Sequence, residues 1–182
     1  MSRLADTTDP ASPIVGCEPS CLFTLRDESL SLLAGDPRAQ DIAGRVRQLE
    51  ELLTEAIDAG SLRLPADSRV AGRRILFHGH CHQKAEVGTA ASVALLRRIP
   101  RATVVELDAG CCGMAGSFGF ESEHYDLSMT IGEDRLFPAV RAEPQSTIIA
   151  ATGVSCRQQI AHGTQRQPHH PLELIAAAAF PD

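Results

Sequence analysis

Four short apolar runs, each followed by a helix-forming stretch, set the strongest limit on how this chain can fold. They are ProIleValGlyCys at 13–17, ArgArgIleLeuPheHis at 73–78, AlaThrValValGluLeu at 102–107 and ThrIleIleAlaAla at 147–151. Their β-branched residues suit buried strands. After the first, Asp36-Pro37 is a helix start, with Asp as the cap and Pro in the first turn. Ile42, Val46, Leu49, Leu53 and Ala56 then recur at helical spacing until Gly60 ends the segment. Arg45, Arg47, Glu51 and Glu55 mark its other face as a solvated cover. Residues 82–98 read as an alanine-rich helix stopped before Pro100, with Ala85, Gly88, Ala91 and Ala94 forming a small face. Residues 122–142 read as one or two helices, Ser155 caps a helix that ends at Gly163, and Pro171 opens the last helix. The order β-α-β-α-β-α-β-α predicts an α/β fold, a parallel sheet with helices on both faces.

With 182 residues, the chain has room for one sizeable domain or a domain with an appendage. A net charge of -6 argues against a nucleic-acid partner, whose phosphates require a basic footprint. No apolar stretch approaches the roughly 20 residues of a transmembrane helix. Residues 1–13 carry no apolar leader, so the expected location is cytoplasmic, where thiols stay reduced.

Six cysteines then call for a use other than disulfides. Cys17 and Cys21 follow the first run, Cys81 the second, Cys111 and Cys112 the third, and Cys156 the fourth. All six fall at or just past the C-terminal end of a strand, the edge at which parallel sheets bind ligands. Buried cysteines acting as small hydrophobes would not follow this rule. Helix N-termini at the same edge favour thiolates, which makes the set a candidate metal site. Zinc usually takes C-x2-C pairs, and none is present. Adjacent Cys111 and Cys112 strain the shell of one ion, whereas a cluster offers neighbouring thiolates separate irons. Gly110, Gly113, Gly116 and Gly119 would let backbone N–H groups approach such a cluster. A phosphate loop fits poorly, since G-x-G-x-x-G is absent, and a vicinal disulfide would be strained.

Cys81-His82, Cys111-Cys112-Gly113 and Cys156 together resemble the cysteine-rich CCG domain. That domain occurs in one of the subunits of heterodisulfide reductase and in the iron–sulfur subunits of glycolate oxidase and anaerobic glycerol-3-phosphate dehydrogenase. HisGlyHisCysHisGlnLys at 78–84, CysCysGlyMetAlaGlySerPheGlyPheGlu at 111–121, SerCysArgGlnGlnIle at 155–160 and HisProLeuGluLeuIle at 170–175 look most like the C-terminal domain of fused FAD-linked D-lactate and 2-hydroxyacid dehydrogenases. The resemblance spans residues 14 to 180. It implies Cys81, Cys111, Cys112 and Cys156 as metal ligands, with Cys21 as a further candidate, and Gly110, Gly113, Gly116, His78 and His82 around the cofactor. His78, His80 and His82 could donate hydrogen bonds to cluster sulfurs or simply satisfy buried backbone groups, and His169-His170 read as loop residues.

The implied cofactor is an iron–sulfur cluster of the [4Fe–4S] type, with FAD only on a partner domain or chain. The implied function is electron transfer from flavin to an acceptor in an FAD-dependent 2-hydroxyacid dehydrogenase, without hydroxyacid oxidation by this chain alone. Peripheral attachment to the inner membrane would come through partners. The family pattern ends in C-x2-C, but Gly153 stands where its first cysteine belongs. Five-cysteine relatives use a noncubane cluster for disulfide chemistry. The missing cysteine favours plain electron transfer, with disulfide reduction and a zinc-binding remnant as alternatives. IleValGlyCysGluProSerCys at 14–21 parallels IleAlaAlaThrGlyValSerCys at 149–156, aligning Cys21 with Cys156 and Cys17 with Thr152. Residues 1–64 therefore read as the tail of a truncated first repeat with its covering helix, and 65–182 as a complete second repeat. A flavoprotein dehydrogenase and the missing N-terminal half are the expected partners, with an apolar surface near residues 14–21 to receive one of them.

Overall fold

The computed structural model describes residues 9–180 together with Leu4 and Asp6. The reading of residues 1–13 as lacking a leader, and both outer ends of the two-repeat division, fall partly outside the described residues.

Three parallel strands form the sheet: β1 (Arg74–His78), β2 (Thr103–Glu106) and β3 (Ile148–Ala151), in the order β2-β1-β3. Leu76 of β1 lies level with Val105 on one side and Ile149 on the other. Central β1 is buried from Ile75 to His78, as its unbroken apolar run requires. Ten α-helices surround the sheet among the described residues: α1 (Pro19–Arg26), α2 (Glu28–Leu32), α3 (Pro37–Arg45), α4 (Leu49–Asp58), α5 (Cys81–Glu86), α6 (Ala90–Leu96), α7 (Tyr125–Asp134), α8 (Leu136–Ala142), α9 (Val154–Thr164) and α10 (Pro171–Ala179).

Alternate β1 residues feed separate cores, which places helices on both faces of the sheet. Ile75 and Phe77 pack with Val93, Leu95 and Leu96 of α6 and with Leu174, Ile175 and Ala178 of α10. Leu76 joins Ile149, Leu136, Phe137 and Val140 of α8, Ile160 of α9, and Cys112, Met114 and Cys156. Each fully buried Ile, Leu or Phe contributes about 1.5–3 kcal/mol. A third cluster, of Leu22, Phe23 and Val46, anchors the N-terminal helices. No helix among the described residues is long and apolar enough to cross a membrane.

Several local expectations need correction. Residues 13–17 are not a strand; Ile14 makes only one parallel bridge, to Val46. That bridge also breaks the helix expected over 37–60. Arg45 C=O accepts from Ile14 N–H and Arg47 N–H donates back to Ile14 C=O, each at 2.9 Å, which holds Val46 extended between α3 and α4. The helix expected over 82–98 divides as well. Gly88 adopts φ +73° and its N–H returns to Gln83 C=O, closing α5, so it ends a helix and does not serve a small packing face. Gly153, not Ser155, occupies the N-cap of α9, and Gln165, past Gly163, takes the left-handed cap at its other end.

Candidate metal centre

Cys81, the first residue of α5, stands three positions past the last residue of β1. Cys111 and Cys112 lie in the loop after β2, and Cys156 is the third residue of α9, after β3. The structure brings these four cysteines together around one cavity of about 330 Å³, lined also by Glu18, Ser20, His80, His82, Phe120 and Val154. Cys17 and Cys21 are exposed and line no part of it. Cys21 is nevertheless the third residue of α1, as Cys156 is of α9, although no strand precedes α1 in the way that β3 precedes α9.

The thiols are strung in a row. Cys111 hydrogen-bonds with Cys112 and Cys81, and Cys112 also with Cys156. Bonds accepted from Cys112 and Cys81, with Gly113 N–H at 3.3 Å from Cys111 Sγ, pull the Cys111 thiol far below its ordinary range. Cys156 is also pulled down, chiefly by the bond from Cys112, with His78 adding to the effect and burial opposing it. Cys81 and Cys112 are pushed up, because each shares its proton with a neighbouring sulfur and both are desolvated. The four sulfurs therefore titrate as one coupled set. Among the described residues, no three His, Cys, Asp or Glu side chains converge into the shell of a single ion.

The loop carrying the adjacent pair is shaped by left-handed residues. Gly113 (φ +98°), Ala115 (φ +41°) and Gly116 (φ +69°) curl it back on itself. A side chain at Gly113 would collide with Ser128 C=O, and one at Gly119 with Met114 and Ser128. Of the loop glycines, Gly113 alone has its N–H on a cysteine sulfur. Gly110 instead presents its carbonyl to Lys84 at 3.0 Å.

The histidines differ in role. His78 is 1% exposed, on the core face of β1 that Leu76 shares, and neither ring nitrogen meets hydrogen-bond geometry with any neighbour. Its imidazole still lies close enough to Cys156 to lower that thiol. His82 sits edge-on to Phe23, with Nε2 3.5 Å from Glu28. His80 caps α5, its Nδ1 accepting from His82 N–H at 3.2 Å. His170, read from sequence as a loop residue, caps α10 in the same way and reaches the Cys17 carbonyl through Nε2 at 2.9 Å.

Sequence reasoning missed three supporting residues. Lys84 Nζ donates to the carbonyls of Ala109 and Gly110. Glu18 accepts from Val154 N–H at 2.8 Å, at the start of the helix that carries Cys156. Gln83 is a buried hub, donating to Gln48 and Ser92 and accepting from Thr152. Lys84 and Gln83 sit inside the HisGlyHisCysHisGlnLys motif, and an amphipathic residue one turn past a cysteine was the available signal.

The chain is similar to three larger dehydrogenase proteins. It is 30% identical over 166 residues to a subunit of the anaerobic glycerol-3-phosphate dehydrogenase of Escherichia coli, which covers 91% of this chain and 40% of that protein. It is 29% identical over 164 residues to the D-2-hydroxyglutarate dehydrogenase of Escherichia coli, covering 90% of this chain and 15% of that protein. The Pseudomonas putida D-2-hydroxyglutarate dehydrogenase is 29% identical over 180 residues, covering 96% and 16%. The chain thus spans less than half the length of each. No family model matches it, and no solved structure does.

Proposed function

We propose that this chain is an iron–sulfur electron-transfer domain serving a flavin-bearing dehydrogenase of the 2-hydroxyacid type. The observation that carries this reading is the row of four thiols around one cavity, with a buried histidine of unpaired nitrogens beside Cys156. The donor set fits the group. Thiolates are the soft ligands that iron–sulfur clusters take. Among the described residues neither ring nitrogen of buried His78 meets hydrogen-bond geometry, although the ring lies beside Cys156, and a cluster sulfur there would give it an acceptor. Similarity to a dehydrogenase subunit and to parts of whole dehydrogenases agrees with an oxidoreductase role.

Cys81, Cys111, Cys112 and Cys156 would hold the cluster, which when bound supplies a one-electron relay. The remaining work belongs to the chain. Gly113 N–H neutralises part of the charge on Cys111, and Lys84 fixes the loop in position. Exposed Phe120 and Val154 flank the cavity and offer apolar surface to a redox partner. Exposed Leu30, Leu32 and Leu33 offer apolar surface at α2, whereas within residues 14–21 Val15 alone among the large hydrophobics is exposed. The α2 surface suits a preceding half-domain, with 1–64 as the tail of one repeat and 65–182 as the next. In this reading FAD lies on the partner, and the partner holds the protein at the cytoplasmic side of the inner membrane.

The test is iron and acid-labile sulfide per chain after anaerobic reconstitution. Matching iron and sulfide with broad visible absorbance is the expected result. Zinc without sulfide would overturn the proposal in favour of a structural remnant.

A further inference from the structure

The His80 ring occupies the space that a side chain on Gly153 would need. A Cβ built on Gly153 would collide with His80 Cδ2 and lie 3.2 Å from its Cγ and Nε2. The backbone does not ask for glycine here, since Gly153 has φ -75° and ψ 138°, which any residue adopts. The N-cap it occupies accepts glycine but is filled somewhat better by Ser, Asp or Asn. What bars a larger side chain is the imidazole, which fills the volume it would need. The ring is well held: His80 N–H donates to Thr152 Oγ1 at 3.3 Å, and His82 N–H donates to His80 Nδ1.

That second bond also fixes the proton. Nδ1 accepts, so in the neutral ring the hydrogen sits on Nε2. A metal ligand needs a lone pair on Nε2, and this tautomer has none there. The nearest carboxylate oxygen, Glu18 Oε1, is 4.0 Å away, too far for a hydrogen bond, and Glu18 is engaged by Ser20 and Val154.

We propose that His80 takes the place of the first cysteine of the C-x2-C pattern as an N–H donor and not as a ligand. The inference rests on the cluster reading above and deepens it. The pocket is confined to four thiolates, with a fixed donor where a fifth sulfur would stand. A donor there stabilises the more negative, reduced state of a bound cluster, and the filled volume keeps a fifth ligand out. The site is thereby built for relay and closed to the five-thiolate chemistry that the same pattern supports elsewhere.

Three measurements on the full chain test this. In the metal-free protein, 15N shifts of His80 should show a protonated Nε2 and a bare Nδ1; the opposite tautomer overturns the proposal. In the reconstituted protein, His80→Asn keeps the cap of α5 while removing the Nε2 donor. It should retain iron and sulfide and shift the midpoint potential to more negative values. A strongly coupled nitrogen in pulsed electron paramagnetic resonance of the wild type, lost in His80→Asn, would make His80 a ligand and overturn the proposal. Gly153→Cys should impair iron loading, and Gly153→Cys with His80→Asn should restore it with an altered resonance signature. Equal loading of the single and double variants also overturns it. A wild-type chain that takes up no iron removes the cluster reading and this inference with it, whereas normal iron with unmoved potential removes the inference alone.

Discussion

Lys84 reaches from α5 to the loop after β2 and donates to Ala109 C=O at 2.8 Å and Gly110 C=O at 3.0 Å. One ammonium thus fastens the residues just ahead of the cysteine pair to the helix that begins with Cys81. Lys84→Met keeps most of the aliphatic stem and deletes both bonds. Hydrogen bonds to charged groups contribute about 1.5–3 kcal/mol where they are shielded. The expected loss is about 2 kcal/mol in urea denaturation, together with faster iron release to a chelator. An unchanged release rate would mean that the loop holds its shape without Lys84.

Cys111→Ser and Cys112→Ser are each expected to abolish the visible absorbance of anaerobically reconstituted protein, and Cys156→Ser to be as severe. Cys17→Ser should leave it intact, because Cys17 is exposed and lines no part of the cavity. If both loop variants retained full iron and sulfide, the adjacent pair would be structural.

Gly113→Ala forces a side chain into the left-handed region and against Ser128 C=O. The backbone strain alone costs roughly 1–3 kcal/mol, and the collision adds to it. The expected result is a clear fall in the thermal midpoint of the metal-free protein, measured by circular dichroism. Gly116→Ala at φ +69° meets open space and should lose only the conformational share.

His170 supplies a pH dependence. Burial, with the Arg157 charge adding to it, lowers its pKa below the ordinary 6.5, against the bond to Cys17 C=O. The neutral ring suits both contacts, since Nδ1 accepts from Leu172 N–H while Nε2 donates to Cys17 C=O. Below pH 6.5 the unfolded chain takes up a proton that the folded chain refuses, so the unfolded state binds more protons. Stability is therefore whole above 6.5 and falls as pH drops from there towards the depressed value. Asparagine at 170 can still cap α10 but does not titrate. His170→Asn should flatten the slope of unfolding free energy between about pH 7.5 and 5.5, and a slope equal to that of the wild type would assign it to other groups.

The parts of the fold legible in sequence are those fixed by local pattern. β1, β2 and β3 stand where their apolar runs predict: β1 is buried from Ile75 to His78 and β3 from Ile149 to Ala151, whereas β2, at the sheet edge, is half-buried only at Val104 and Val105. The run at 13–17 has the same character, yet Ile14 finds only Val46 to pair with, and one bridge makes no strand. The helix breaks at Val46 and Gly88 arise from contacts beyond their own windows, whereas helical spacing counts only neighbours. The cysteines of the cavity were legible because their chemistry is carried by residue type. The fit of His80 against Gly153 and the reach of Glu18 to Val154 join residues 73 and 136 positions apart, and no period encodes them.

Two consecutive residues, Cys17 and Glu18, are stitched to the far end of the chain, one through His170 Nε2 and the other through Val154 N–H. The N-terminal segment and the helix bearing Cys156 are therefore thermodynamically linked. A ligand that fills the thiol cavity and holds α9 in place therefore also disfavours the fraying of residues 14–26, whose Glu18 and Ser20 line that cavity while Cys17 and Cys21 do not. Amide exchange makes this visible at a single reporter. The Val154 N–H is protected only while Glu18 is docked, so its exchange rate reads at one end of the molecule what happens at the other.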